Sequence, residues 1–153
     1  MPTKRLSGYP SWFYGVLIAS MLSVCISGFL LIPTALEFKF FMEVPWRLAS
    51  SSFTLTVASH ILTAWLLLMM VGAMWQLHMR FKWRQRNNHR SGLTLALLLV
   101  SLALTGTGLF YLGDETLQQY SSATHTIVGI LVAVIMLWHC IHGAKLRKKL
   151  KLN

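Results

Sequence analysis

Charged side chains are scarce in this sequence. Only 12% of its 153 residues are Asp, Glu, Lys or Arg, whereas a soluble domain carries about 25%. Four long stretches contain no charged residue, and the shortest of them holds 23 residues. About 20 apolar residues are enough to cross the ~30 Å hydrocarbon layer as a helix. Four transmembrane helices are therefore predicted, within residues 6–36, 48–79, 91–113 and 116–144.

Cysteine is also rare, and motifs for common soluble cofactors are missing. Cys25 and Cys140 both fall in uncharged stretches, and we interpret them as packing residues. Without a C-x-x-C-H motif, covalent attachment of c-type haem is excluded. No Gly-rich strand–helix motif for flavin or NAD is present either. The predicted spans use nearly the whole chain, so we expect its chemistry to take place inside the membrane.

Acidic residues number only four, against 14 basic ones, and the two signs are segregated. Twelve basic residues precede the first span, link the second to the third or follow the fourth, while all four acids lie in the two remaining links. The positive-inside rule then places both termini in the cytoplasm. We interpret the net charge of +10 as a topology signal and a contact with lipid headgroups, not as a nucleic-acid site.

The expected fold is all-α and integral to the membrane, a four-transmembrane-helix bundle forming a single domain over residues 1–153. The first apolar run, Trp12–Ile32, exceeds the roughly 7–15 residues of a signal-peptide core, so it is interpreted as a retained helix. Short links make neighbouring helices antiparallel, which makes the second and fourth parallel. The predicted spans are about 11–33, 52–79, 91–112 and 120–143.

The sequence also suggests that a two-helix hairpin is used twice. ASHILTAW (58–65) in the second span is similar to ATHTIVGI (123–130) in the fourth. The duplication remains open, because apolar segments of low complexity can resemble one another by chance.

Five histidines lie in the second and fourth spans and none in the first or third. His60 and His78 are 18 residues apart, which is five helical turns and about 27 Å on one face. His125 and His139 are 14 apart, or about 21 Å. In parallel helices, His60 and His125 come near the outer surface, while His78, His139 and His142 come near the inner one. Ionisable residues inside spans usually mark function.

Histidine pairs facing each other across a helical bundle can supply the two axial ligands of haem iron. A porphyrin also needs small residues where its edges pass neighbouring helices. The first and third spans carry glycines at two levels, Gly28 and Gly106 toward the outer end and Gly15 and Gly92 toward the inner end. One glycine per helix and level fits two stacked haems, so these four glycines are predicted to line the cofactor sites.

Several segments make the whole chain resemble the small four-helix di-haem b-type cytochromes of bacterial inner membranes, which are cytochrome b561-like. They are SHILTAW and LHMRFKW in the second span, THTIVGI and WHCIHG in the fourth, and SGF and TGTGLF in the first and third. The resemblance implies two haem b groups with bis-histidine ligation. It implies that His60 pairs with His125 at the outer haem and that His78 pairs with a histidine of the last helix at the inner one.

The inner partner is open between two histidines. His139 follows the family pattern, whereas His142 matches the depth of His78 to within one residue, about 1.5 Å. In a left-handed bundle both remain on the inward stripe. Met74, which follows His60 by 14 residues, is a third candidate as a thioether ligand.

Two haems stacked across a membrane predict transmembrane electron transfer. We expect a cytochrome b subunit of a quinol-oxidising or quinone-reducing system in the bacterial cytoplasmic (inner) membrane. This subunit would exchange electrons between quinone and a separately encoded redox protein, dehydrogenase or reductase. The expected partners are membrane lipid, quinone and that protein, with no nucleic acid. The alternatives are a haem-free transporter of protons or metal and a structural membrane anchor. Intramembrane Asp and Glu, which proton and cation pathways usually contain, are absent.

Overall fold

The computed structural model describes residues 9–75 and 89–152, and every regular element within those ranges is a helix. The four helices are α1 (Ser11–Phe40), α2 (Ser50–Met74), α3 (His89–Tyr111) and α4 (Glu115–Leu152). Each is long and apolar enough to cross a membrane, with mean hydropathies of 2.4, 1.8, 2.1 and 2.1 in their most apolar windows. The predicted all-α class with four apolar helices is confirmed for this part of the chain.

The chain divides into two compact units, Met1–Phe81 and Lys82–Asn153. The first contains the antiparallel pair α1 and α2. Its Tyr9 hydroxyl donates a hydrogen bond to the Ala73 carbonyl at 3.1 Å, which joins the chain just before α1 to the end of α2. The second contains the antiparallel pair α3 and α4. Each unit is thus a helical hairpin, as the similarity between the two halves of the sequence suggests.

Helix α1 continues past Pro33, where the sequence pattern predicts that the first span ends. Proline lacks an N–H and removes one backbone hydrogen bond from a helix, yet two further turns follow. The helix ends at Phe41, which adopts a left-handed conformation (φ 54°) and donates its N–H to the Leu36 carbonyl. Part of the predicted outer link is therefore helical.

Helix α4 begins before residue 120, the predicted start of the fourth span. The Asp114 carboxylate accepts a hydrogen bond from the Leu117 N–H at 2.8 Å and caps the first turn, so the helix starts at Glu115. At its other end, α4 runs on through the basic tail to Leu152. Lysine, arginine and leucine are good helix formers, so the loss of hydrophobicity after Gly143 does not end the helix.

The hairpins bury little and expose much apolar surface. In the first hairpin, Phe13, Leu17 and Met21 form a buried stripe on α1 at intervals of four residues. Elsewhere large apolar side chains face outward, including Leu55 and Leu62, which are 73% and 70% exposed. Contiguous exposed apolar surface of this kind marks a contact with a membrane or with another apolar surface.

The second hairpin is held together by a close helix–helix approach. A Cβ built on Gly108 would lie 2.7 Å from the Ser121 Oγ, a distance that real Cβ atoms essentially never show. The same Ser121 hydroxyl donates to the Thr105 carbonyl at 2.8 Å. Small residues that let helix backbones approach in this way are typical of membrane helix pairs.

Candidate functional site

His60 of α2 packs edge-on against α1. Its Nδ1 lies 2.9 Å from the Ser27 Oγ. The next residue, Gly28, leaves room for the ring, because a Cβ there would lie only 3.1 Å from the His60 Cε1. The half-buried ring is therefore fixed along its Nδ1–Cε1 edge by two consecutive residues of the neighbouring helix.

His125 of α4 packs against α3 in the same way. Its Nδ1 lies 3.0 Å from the Thr105 Oγ1. A Cβ on Gly106 would lie 3.2 Å from the His125 Cε1 and 3.6 Å from its Nδ1. The hydroxyl residue and the glycine again follow each other in the sequence, and both face the same edge of the imidazole.

His139 repeats the arrangement further along the second hairpin. Its Nδ1 lies 2.8 Å from the Ser91 Oγ, and a Cβ on Gly92 would lie 3.9 Å from its Cε1. Ser91 and Thr105 are 14 residues apart on α3, and His125 and His139 are 14 apart on α4. Fourteen residues are close to four helical turns and span about 21 Å. Both rings therefore meet the same face of α3, at two depths.

The three histidines share what we call the Ser/Thr–Gly motif, which comprises Ser27–Gly28, Ser91–Gly92 and Thr105–Gly106. In each case the hydroxyl contacts Nδ1 and the glycine lies beside Cε1. In the imidazole ring Nε2 is bonded to Cε1 and points in a different direction from Nδ1. The motif therefore holds each ring through Nδ1, and Nε2 takes no part in the hydroxyl contact.

His142 lies in a different environment. Its ring stacks on Trp138 of the same helix, with ring centroids 5.7 Å apart and an interplanar angle of 29°. Of the two predicted alternatives for the inner ligand, His139 is the one that shares the surroundings of His60 and His125. Met74, the third candidate, is half-buried in the last turn of α2.

The fourth predicted position cannot be compared with the other three. His78 lies outside the described residues. Among the residues that the structure describes, none lies within 4 Å of a Cβ built on Gly15, the predicted glycine at that level. The preceding residue is Tyr14 rather than Ser or Thr, so the motif does not recur at this glycine.

His60, His125 and His139 are each held in the way that an axial ligand of a b-type haem would be held. Haem iron takes one axial ligand on each face of the porphyrin, so it needs single, oriented imidazoles. A ligating histidine is normally held through its second ring nitrogen, which is the contact that the Ser/Thr–Gly motif makes.

The link between α1 and α2 forms a separate, open cavity of about 570 Å³ lined by Glu37 and residues 41–47. Arg47 donates to the Glu37 carboxylate at 2.9 Å and lies over the Phe38 ring, 5.8 Å from its centroid. Because the guanidinium already has a carboxylate and an aromatic partner, we interpret it as a residue that fixes this link.

Comparison with protein-family models, curated proteins and solved structures finds no match for this chain. The interpretation of the site therefore depends on its own geometry.

The hydroxyl residues are the part of the site that sequence reasoning missed. The glycines are predicted from the sequence as space for porphyrin edges, but Gly28, Gly92 and Gly106 lie beside histidine rings in the structure. The available signal was the residue before each glycine, which is Ser, Ser and Thr respectively.

Proposed function

We propose that this protein is a di-haem b-type cytochrome that transfers electrons across a membrane. The observation that carries the proposal is the repeated Ser/Thr–Gly motif, which holds His60, His125 and His139 through Nδ1. A packing histidine needs only some hydrogen-bond partner. Three rings held by the same edge, beside a glycine each time, are the expected arrangement for ligands whose Nε2 must be oriented.

Membrane insertion is part of the proposal. Its support is the four apolar helices, the exposed leucines and aromatics on their outer faces, and the scarcity of charge along them. The segregation of basic and acidic residues favours a four-helix bundle with both termini in the cytoplasm. A multi-pass protein of the bacterial inner membrane is the localisation that follows from the resemblance to b-type cytochromes.

The proposed axial ligands are His60 with His125 at the outer haem, and His78 with His139 at the inner haem. We prefer His139 to His142 because His139 has the Ser91–Gly92 contact. The pairing itself follows from the depths of the histidines in the sequence and from the family resemblance.

Bound haem supplies reversible one-electron transfer. The chain's own residues would orient the ligand nitrogens, and the apolar helices that carry them would limit the access of water. The proposed electron partners are quinone in the bilayer and a separate redox protein, dehydrogenase or reductase subunit. Together with that protein, the chain would act as the quinol-oxidising or quinone-reducing cytochrome b subunit.

The first test is the visible spectrum of the full-length protein purified in detergent from cells with adequate haem. We expect a sharp reduced α-band of the b type and about two haems per chain. A folded but colourless protein would refute the proposal and favour the haem-free transporter or the structural anchor.

Single substitutions then test the ligands. His60→Ala and His125→Ala should each remove the outer haem and leave the inner one, so that haem content falls by about half. His142→Ala is the matched control for His125→Ala, because it removes another histidine of α4, one that stacks on Trp138. Retention of both haems in His60→Ala and His125→Ala would overturn the outer assignment.

A further inference from the structure

The hydroxyl groups beside His60 and His125 make a second short contact. The Ser27 Oγ donates to the Ser23 carbonyl at 2.7 Å, and the Thr105 Oγ1 donates to the Ser101 carbonyl at 2.8 Å. A carbonyl oxygen can only accept a hydrogen bond, and a hydroxyl has a single proton to donate. That proton is therefore directed to the helix backbone, and the oxygen presents lone pairs to the imidazole.

The direction of the hydroxyl bond determines where the ring carries its proton. Because the hydroxyl oxygen accepts, Nδ1 must donate, and the neutral imidazole is the Nδ1–H tautomer with its lone pair on Nε2. We propose that Ser27 and Thr105 are positioning residues that select this tautomer in His60 and His125 and present each Nε2 lone pair for ligation. This inference rests on the proposed function where it names haem iron as the acceptor.

The same two hydrogen bonds have an electronic consequence. A hydrogen bond from Nδ1–H increases the basicity of the other ring nitrogen toward a metal. The hydroxyl in turn is polarised by its bond to the helix carbonyl, so each Nδ1–H···O–H···O=C chain strengthens its members. A more basic ligand favours ferric over ferrous iron. Ser27 and Thr105 are therefore expected to lower the reduction potential of the haem that the two histidines bind.

Thr105 offers a sharp test because valine has nearly its shape without the hydroxyl. For Thr105→Val we expect haem affinity at the outer site to fall about 10- to 100-fold, the usual effect of removing a ligand's hydrogen-bond partner. The outer reduction potential should rise, by about 59 mV for each tenfold preferential loss of ferric binding. Thr105→Ser, which keeps the hydroxyl, should restore both values.

Thr107→Val is the matched control. Thr107 lies two residues further along α3, and its hydroxyl donates to the Ala103 carbonyl at 2.8 Å. This substitution removes the same atoms from the same helix without touching Ser27, Ser91 or Thr105, the hydroxyl residues that contact histidines, so both haem affinity and potential should be unchanged. In the first hairpin, Ser27→Ala and Ser27→Thr form the corresponding pair.

The tautomer can also be measured without any substitution. In the full-length chain prepared free of haem, the 15N chemical shifts of labelled histidine should identify His60 and His125 as Nδ1–H tautomers. An Nε2–H tautomer at these positions would overturn the inference, as would an unchanged affinity and potential in Thr105→Val. Failure of the wild-type chain to take up haem would instead refute the proposed function, and the 15N measurement would still decide the tautomer.

Discussion

Replacing Gly106 with alanine tests whether the glycine beside His125 serves the ring or only the helix. The added Cβ would lie 3.2 Å from the His125 Cε1, several tenths of an ångström inside ordinary contact distance. The ring must therefore move away by a few tenths of an ångström. The bond from Nδ1 to the Thr105 Oγ1, now 3.0 Å, would then approach the limit of useful hydrogen bonds, about 3.2 Å.

Two opposing effects set the magnitude. Overpacking of this kind costs about 1–3 kcal/mol, whereas exchanging glycine for alanine within a helix gains about 1 kcal/mol. The free energy of unfolding should therefore fall by roughly 0–2 kcal/mol, a small change. The gain in helix propensity stabilises the folded chain with or without haem, so it does not offset a loss of haem affinity. If the displaced ring costs about 1.4 kcal/mol of ligation, affinity for the outer haem falls tenfold.

The assay compares haem affinity and thermal unfolding in the wild type, Gly106→Ala and Gly129→Ala. Gly129 is one turn beyond His125 on α4, and a Cβ there would lie 4.0 Å from the Leu102 Cδ2, which is ordinary contact. We expect Gly129→Ala to bind haem normally, and Gly106→Ala to lose affinity with little change in thermal stability. Normal haem affinity in Gly106→Ala would refute the idea that this glycine positions the ring.

Other regions give three further predictions. His139→Ala should remove the inner haem while His142→Ala retains it, as read from haem content; the reverse result would reassign the ligand. Gly108→Ala should destabilise the second hairpin by up to about 2 kcal/mol in thermal unfolding, because overlap of its Cβ with the Ser121 Oγ costs more than the exchange of glycine for alanine in a helix gains, and a raised melting temperature would contradict the close approach. Arg47→Ala should cost no more than about 1 kcal/mol, since its ion pair is exposed, and a larger loss would show that the link is more buried in the folded protein.

The helices were the most predictable part of the structure. Long stretches without charge mark four apolar helices because burying charge in hydrocarbon is costly, and the structure has a helix in each stretch. Helix ends were less predictable. Pro33 removes one hydrogen bond but leaves the others intact, so α1 continues, and Asp114 starts α4 early through a side-chain cap that hydrophobicity does not detect.

The candidate histidines are visible in the sequence, but the residues that contact them are not. His60, His125 and His139 stand out because ionisable residues are rare in apolar helices. Ser27 and Thr105 do not, because serine and threonine are common in such helices and bond to their own backbone. The choice between His139 and His142 depends on which ring meets Ser91, and the register between α3 and α4 appears only in three dimensions.

Each of the three histidine rings is held by a residue of its own hairpin, and this affects when its freedom of motion is lost. Immobilising a side chain at a binding site costs about 0.5–1.5 kcal/mol. Here His60, His125 and His139 are already ordered by their hydroxyl and glycine neighbours once each hairpin has folded. The conformational entropy of the side chain is therefore lost during folding. A cofactor that binds later meets a rigid imidazole nitrogen, and less of its interaction energy is used to order that ring.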